Sequence, residues 1–349
     1  MAHDVVIVGA GLAGLALADR LTQAGRDALL VEARPRLGGR IDALVVDGAA
    51  FDLGPAWFWP GQPRMAALAA RLGATVFEQH AAGAQLHEDE RGRVTRGRGF
   101  ASMAGSLRID GGMATLVDRL AAVVPPARVR RGAPVVRVEA PGRVILADGD
   151  RLDARHVVLA LPPRVAATLA FAPALAPEVH AALAAIPTWM GGQAKFVAVY
   201  DAPFWRADGL SGDATSRRGP LVEIHDASTV TGQPAALFGF VGVPATRRAG
   251  HGAAVVAAAV DQLARLFGPA AARPRQTALA DWATAPETAG ALDLQPTTAH
   301  PDYGLPAALA GLWAGRLHLG STETAATFGG YLEGALERAE AVAATLADG

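Results

Sequence analysis

Val5-Val6-Ile7-Val8-Gly9-Ala10-Gly11-Leu12-Ala13-Gly14, followed one helix and one short apolar run later by Glu32, decides the fold of this 349-residue chain. Val5 to Val8 is the β-branched apolar run that a buried parallel strand requires. Gly9 permits a sharp turn, Gly11 lets the backbone approach a pyrophosphate, and Gly14 lets the next helix pack closely on the strand. That helix is expected from about Leu12 to Ala24, with Gly25 as its C-terminal cap. Its free N–H groups and the positive end of its dipole face the phosphates. Ala28 to Val31 reads as the next strand, and Glu32 at its C-terminal end is placed to accept both hydroxyls of an adenosine ribose. Strand, glycine turn, helix, strand and acid at this spacing predict a Rossmann-like dinucleotide-binding unit.

The fingerprint alone does not choose between NAD and FAD. Arg34 and the run Arg36-Leu37-Gly38-Gly39-Arg40 follow the acid directly. Two glycines allow a second close backbone approach, and an arginine supplies a planar cation for phosphate.

Composition narrows the function classes. The chain is 51% hydrophobic with a net charge of -1, so no basic surface for nucleic acid is expected. It has no cysteine, which removes disulfides and thiolate metal sites, and its nine histidines show no metal-ligand spacing. The first strand begins so early that no room is left for a cleaved leader. The most apolar run, Ala253 to Val260, is broken by Asp261 and is too short to cross a bilayer. A cytoplasmic protein without a membrane partner is expected; oligomeric state stays open.

Of the 32 basic residues, all but Lys195 are arginine. A chain that writes its cations as arginine has kept one compact, deprotonatable ammonium. Lys195 opens the apolar strand Phe196-Val197-Ala198-Val199-Tyr200, where an unused charge is costly.

The remaining pattern predicts α/β architecture with an interleaved, smaller substrate domain on a mixed or antiparallel sheet. Phe51 to Trp59 reads as a Gly/Pro turn loaded with aromatics. Helices are expected over 64–72, from Gly111-Gly112-Met113 to about Val123, and over 253–267. A hairpin is expected to turn near Glu90 to Gly92, and a second joins Pro134–Glu139 to Arg143–Leu146. The run His156 to Leu161 reads as a buried strand stopped by Pro162-Pro163, the expected crossover between domains. Strands over 195–200, 221–225 and 236–241 make the second sheet. Leu317 to Gly320 is a last strand, and a last helix runs from Gly329 to Ala344. Its N-terminus near Gly330 is placed to face a flavin carbonyl. The domains divide as 1–60, 106–163 and 281–349 for the dinucleotide, and 61–105 and 164–280 for the substrate.

In motif order and over nearly its whole length, the chain resembles the flavin-containing amine oxidases of the monoamine oxidase type. The shared elements are the glycine fingerprint, Glu32, Gly38-Gly39-Arg40, Asp52-Leu53-Gly54, Gly111-Gly112-Met113 and Pro134-Val135. They continue through Leu161-Pro162-Pro163, Lys195, Phe204-Trp205, Trp282 and Gly320-Ser321-Thr322-Glu323-Thr324 to Gly330-Tyr331. The resemblance implies non-covalent FAD, since no cysteine can form a thioether and Ala291 occupies the position used for one. It places Gly9, Gly11, Gly14, Glu32, Arg34, Gly38, Gly39, Arg40, Gly54, Ala56, Trp57, Val135, Trp282, Gly320, Glu323, Gly330 and Tyr331 around the cofactor. It implies that Lys195 is bridged by water to flavin N5 and that Tyr331 forms one wall of an aromatic cage. The second wall, ten residues beyond Trp282, is here Leu292, so a single aromatic wall is expected, with Trp189 a further pocket residue. The short segment between Pro60 and Gly111 implies a small substrate domain. The activity implied is oxidation of a small-molecule amine by hydride transfer, with O2 or another acceptor taking the electrons. The departures leave open a renalase-like oxidase of dihydronicotinamides, a desaturase or a flavin-dependent isomerase.

Overall fold

A computed structural model describes residues 2–347 apart from Arg98, Phe100, Pro296 and Thr298. Two large sheets organise them. The first has eight strands, in the order Ala170–Ala172, Val135–Glu139, Arg143–Leu146, Arg151–Leu159, His3–Val8, Ala28–Val31 and Val129–Arg130, with Leu317–Leu319 also pairing with Arg151–Leu159. His3–Val8 lies parallel to both its neighbours. Its side chains alternate between two cores. Val5 and Ile7 pack with the helices Leu12–Gln23, Ala114–Val123 and Leu332–Ala347. Val6 and Val8 pack on the opposite face with Val157, Leu159 and Leu317. Burial on both faces is what makes this strand uniformly apolar.

Leu12–Gln23 starts at Gly11 and ends where Gly25 takes φ 70°. Gly25 N–H donates to Thr22 O, and Arg26 N–H to Leu21 O, which satisfies the last carbonyls. Gly14 is fixed by contact rather than by φ: a Cβ there would lie 2.0 Å from Gly9 O.

The second sheet has seven strands, in the order Gln276–Asp281, Ala194–Tyr200, Ala235–Val241, Leu221–Asp226, Leu210–Ser216, Ala84–Glu88 and Val94–Gly97. It is antiparallel except where Leu210–Ser216 meets Ala84–Glu88. Ala194, Phe196, Ala198 and Tyr200 face the helix Gly252–Phe267. Val197 and Val199 face the other way, onto Phe51 and Phe238. Period-two alternation puts Lys195 on this second face.

The structure differs from the sequence reading at several places. Ala170–Ala172 joins the first sheet, so the chain does not leave it at Pro162-Pro163. Those prolines instead open a one-turn helix, Pro163–Ala166. The turn expected from Phe51 is preceded by a hairpin, Ala43–Val46 with Ala49–Asp52. Leu210–Ser216 and Gln276–Asp281 are strands whose mixed polarity hid them. The last helix begins at Leu332, two residues beyond Gly330, which takes φ 81°.

Gly14→Ala drives a methyl into the Gly9 carbonyl, whereas a Cβ at Gly25 meets nothing within 4 Å. Gly25→Ala carries only the left-handed backbone penalty, about 1 kcal/mol. Thermal unfolding is expected to show a small fall in Tm for Gly25→Ala and a far larger one, or no folded protein, for Gly14→Ala. Equal effects would contradict the close approach.

Candidate active site

The glycine-rich segments meet first. Gly11 and Gly38 form a parallel bridge, and Gly38 N–H donates to Ala10 O at 2.8 Å. A Cβ on Gly39, which takes φ 59°, would sit 3.1 Å from Gly11 Cα. The result is a strip of bare backbone at the N-terminus of Leu12–Gln23, whose first-turn N–H groups have no carbonyl within the helix. Glu32 is buried, and its carboxylate accepts Ala10 N–H at 2.8 Å and Arg34 N–H at 2.9 Å. Ala133 N–H donates to Glu32 O and Gly132 N–H to Arg34 O, which brings the Val135 segment beside the acid. The Arg34 guanidinium pairs with Glu287 at 3.0 Å and donates to Thr288 Oγ1 at 3.1 Å.

Arg40 reaches Glu323 with both terminal nitrogens, at 2.6 and 3.2 Å. Glu323 is fully buried, so the pair ties the Gly38-Gly39-Arg40 loop to the segment after Leu317–Leu319. Gly320 is held to glycine by Val158, whose Cγ1 would lie 2.8 Å from an added Cβ. Beside it, Ser321 Oγ is buried without a hydrogen-bond partner among the described residues. Bare backbone at a helix N-terminus, a buried acid at a strand end and an orphaned buried hydroxyl fit a bound FAD.

The loop after Ala49–Asp52 connects this half to the second sheet. Lys195 is buried and its ammonium donates to Gly54 O at 3.0 Å. The Nζ also lies 3.9 Å from the centre of the Phe238 ring. Burial lowers the Lys195 pKa to about 7, with Asp52 opposing the shift and Arg108 adding to it. Asp52 is itself buried, and burial raises its pKa against the pull of Lys195, Arg108 and the Met113 N–H. That N–H donates to Asp52 Oδ1 at 2.8 Å. Gly54 leaves no room for a side chain, since a Cβ would lie 1.9 Å from Arg40 O. Trp282 packs against it and donates its indole N–H to Leu53 O at 3.1 Å. Ala56 is buried in the same loop. Trp57 donates to Gln79 Oε1 and packs on Phe238 and His225.

Tyr331 is 37% exposed and packs against other rings. His300 stacks on it with ring centres 4.9 Å apart, and Trp59 approaches edge-on at 6.2 Å. Trp189 packs on His300 at 4.8 Å. Tyr303 stands against Gly329 and Gly330 and donates its hydroxyl to Pro187 O. Thr322 Oγ1 donates to Tyr331 O at 2.7 Å, which holds the tyrosine backbone. Leu292 is 61% exposed. Its carbonyl accepts from Arg164, which also pairs with the adjacent Asp293. The ring stacked on Tyr331 is that of His300, which the sequence did not single out. Sequence reasoning also missed Asp52 as the counter-charge of Lys195, and Phe238 beneath it. The Phe238 contact depends on strand register across the second sheet, and the Asp52 contact on how the small hairpin packs against it, which no local pattern reveals.

The family model described as flavin containing amine oxidoreductase matches residues 80–347. The chain belongs to that family. A model of NAD(P)-binding Rossmann-like domains matches residues 7–72. Among relatives, a putative flavin-containing monoamine oxidase of Mycobacterium tuberculosis is 27% identical over 99% of this chain and 96% of its own. A probable flavin-containing monoamine oxidase A of Dictyostelium discoideum is 24% identical over 96% of this chain and 95% of its own. Two solved structures share the fold. Cyclohexylamine oxidase from Brevibacterium oxydans superposes with a TM-score of 0.83 at 23% identity, covering 100% of this chain and 99% of that one. Putrescine oxidase bound to putrescine superposes at 0.81 and 22% identity, covering 100% of both chains. This flavin-containing amine oxidoreductase is an FAD-dependent enzyme. Among the described residues, no helix is long and apolar enough to cross a membrane.

Removing the Arg40 side chain leaves the Glu323 carboxylate buried and unpaired. Arg40→Met is expected to cost about 3 kcal/mol in urea unfolding, and Arg40→Met/Glu323→Leu to recover most of it. Wild-type stability in the single variant would contradict the pairing.

Proposed function

We propose that this enzyme oxidises an amine at the carbon bearing the nitrogen. FAD, when bound, would supply the two-electron sink for a hydride leaving that carbon, and the imine so formed would hydrolyse in water to a carbonyl compound and ammonia or a smaller amine. The protein's own part is binding, desolvation and proton handling. Tyr331, Trp59 and His300 offer aromatic surface, and Phe238 and Phe240 line the adjoining sheet face. Low polarity there favours the neutral amine, whose lone pair assists hydride departure. Lys195 would hold or release a proton on the cofactor side of the sheet, its burial keeping the amine close to half-protonated near neutral pH. Arg40 and Glu323 hold the Gly38-Gly39-Arg40 loop, Glu32 would receive the adenosine ribose, and Trp282 braces Leu53. The electrons leave to O2 or to another acceptor.

The observation that supports this reading most is the single lysine, buried on the sheet face that meets the dinucleotide half and held on Gly54 O. A folding role alone would be met more cheaply by an apolar side chain.

The test is anaerobic flavin bleaching by primary amines, cyclic amines, polyamines, NADH and NADPH. Bleaching by an amine is expected. Bleaching only by a dihydronicotinamide would move the assignment to a renalase-like oxidase, and bleaching by none to a desaturase or isomerase. Lys195→Met is expected to retain FAD and to lower turnover at least tenfold; unchanged kinetics would remove Lys195 from the mechanism.

A further inference from the structure

Arg108 is a buried cation with no carboxylate bonded to it among the described residues. It stands on the short strand Leu107–Ile109 and is 6% exposed. Its guanidinium donates to Ser228 O at 2.8 Å and to Ala227 O at 3.0 Å, and lies 5.0 Å over the Phe77 ring. Asp226, one residue before Ala227, is taken by Arg206 Nε at 2.8 Å and Trp205 Nε1 at 2.9 Å. A guanidinium held out of water by neutral carbonyls alone is costly, so a folding role does not account for it.

Its anchors lead to Lys195 from two directions. Ala227 belongs to the apolar cluster that holds Phe51, Val197 and Phe238, and the Lys195 ammonium lies on the Phe238 ring. On the other side, Leu107–Ile109 runs through a turn, closed by Gly112 N–H to Ile109 O, into Met113, whose N–H binds Asp52. Lys195, Asp52 and Arg108 are thus gathered, all buried, where the small hairpin packs on the second sheet. Asp52 lies in the field of both cations, and Lys195 in the fields of Asp52 and Arg108.

These charges do not cancel while Lys195 is protonated. Two cations and one carboxylate leave one positive charge over, in surroundings that screen it poorly. With Lys195 neutral, Arg108 and Asp52 balance. The other charged groups around Lys195 are matched among themselves. On the adjoining edge strand Asp281 pairs with Arg248 at 2.7 Å. Behind Phe238 and Trp57, the His225 ring bridges Asp213 and Glu223, and Glu223 is 34% exposed, where water screens it.

We propose that Arg108 is a positioning residue of the amine-oxidising site: its fixed charge, set across Asp52, disfavours the ammonium form of Lys195 and so frees that amine to take up a proton during turnover. The inference rests on the amine-oxidising reading of the Lys195 site and names the group that poises it. Arginine suits the task because it stays charged at any working pH. Its hold on two backbone carbonyls leaves the Asp52 carboxylate to the lysine.

The single lysine provides the test. In FAD-loaded enzyme carrying lysine labelled with 15N at the ε position, the Lys195 midpoint is compared between wild type and Arg108→Gln, whose amide can still donate to the carbonyls without charge. The midpoint is expected to rise by about one pH unit, and the limb of the kcat/KM profile that follows Lys195 to rise with it. Phe77→Glu is the second variant. Phe77 is only half-buried, and a carboxylate there cancels the surplus charge with Arg108 in place, so the midpoint should move the same way. Arg108→Lys restores a cation and should return the kcat/KM limb to its wild-type position. An unchanged Lys195 midpoint in either folded variant overturns the proposal. So does a fall in kcat/KM in Arg108→Gln with no movement of the limb, which is the mark of a structural role. The midpoint is read without substrate, so the two readings fail separately. A shifted midpoint with no bleaching by any amine removes the oxidation chemistry but keeps the control by Arg108. Bleaching by amines with an unmoved midpoint does the reverse.

Discussion

A single ammonium group held out of water joins the two halves of this enzyme. Lys195 comes from the second sheet, yet its counter-charge, Asp52, ends the small hairpin and its hydrogen-bond acceptor, Gly54 O, lies in the loop just after it. Asp52 in turn accepts the Met113 N–H at the entrance to Ala114–Val123. Burial of both charges is tolerable only because each compensates the other. The same balance leaves Lys195 with a pKa near 7, where it can hold or release a proton at ordinary pH. Stability and chemistry thus rest on one contact.

Much of the first half was legible in local sequence. The strand Val5 to Val8, the glycines and Glu32 each answer a short-range constraint: a buried strand, a close backbone approach, a carboxylate at a strand end. The helix they open ends at the glycine that predicted its end. What failed to show were features set by partners distant in sequence. Leu210–Ser216 carries Ser211, Asp213 and Ser216 and does not alternate apolar and polar residues; its pairing defines it. Ala170–Ala172 is too short to signal anything, and it returns to the first sheet where two prolines read as an exit.

The site shows the same division. Lys195 stood out because arginine replaces every other lysine, and Tyr331 because of its motif. His300 was invisible: it lies in a segment of unremarkable composition and reaches Tyr331 only through tertiary packing. Leu292, reached by counting from Trp282, faces solvent because Arg164 and Asp293 pin its short 3-10 turn. Counting along a chain gives a position, and only packing gives an orientation. The triad of Asp213, His225 and Glu223 is assembled from two neighbouring strands, so its members are spaced by register rather than by any sequence interval.

The central claim, that burial beside the flavin site sets the ionisation of Lys195, is open to an unusually direct measurement because the chain has one lysine. Lysine labelled with 15N at the ε position gives one side-chain resonance in the folded enzyme, and its shift can be followed with pH. A midpoint near 7, rising toward the free value of about 10.4 when the protein is unfolded, is the predicted result. A folded-state midpoint near 10.4 would mean that the ammonium is solvated, and would contradict the account at its foundation.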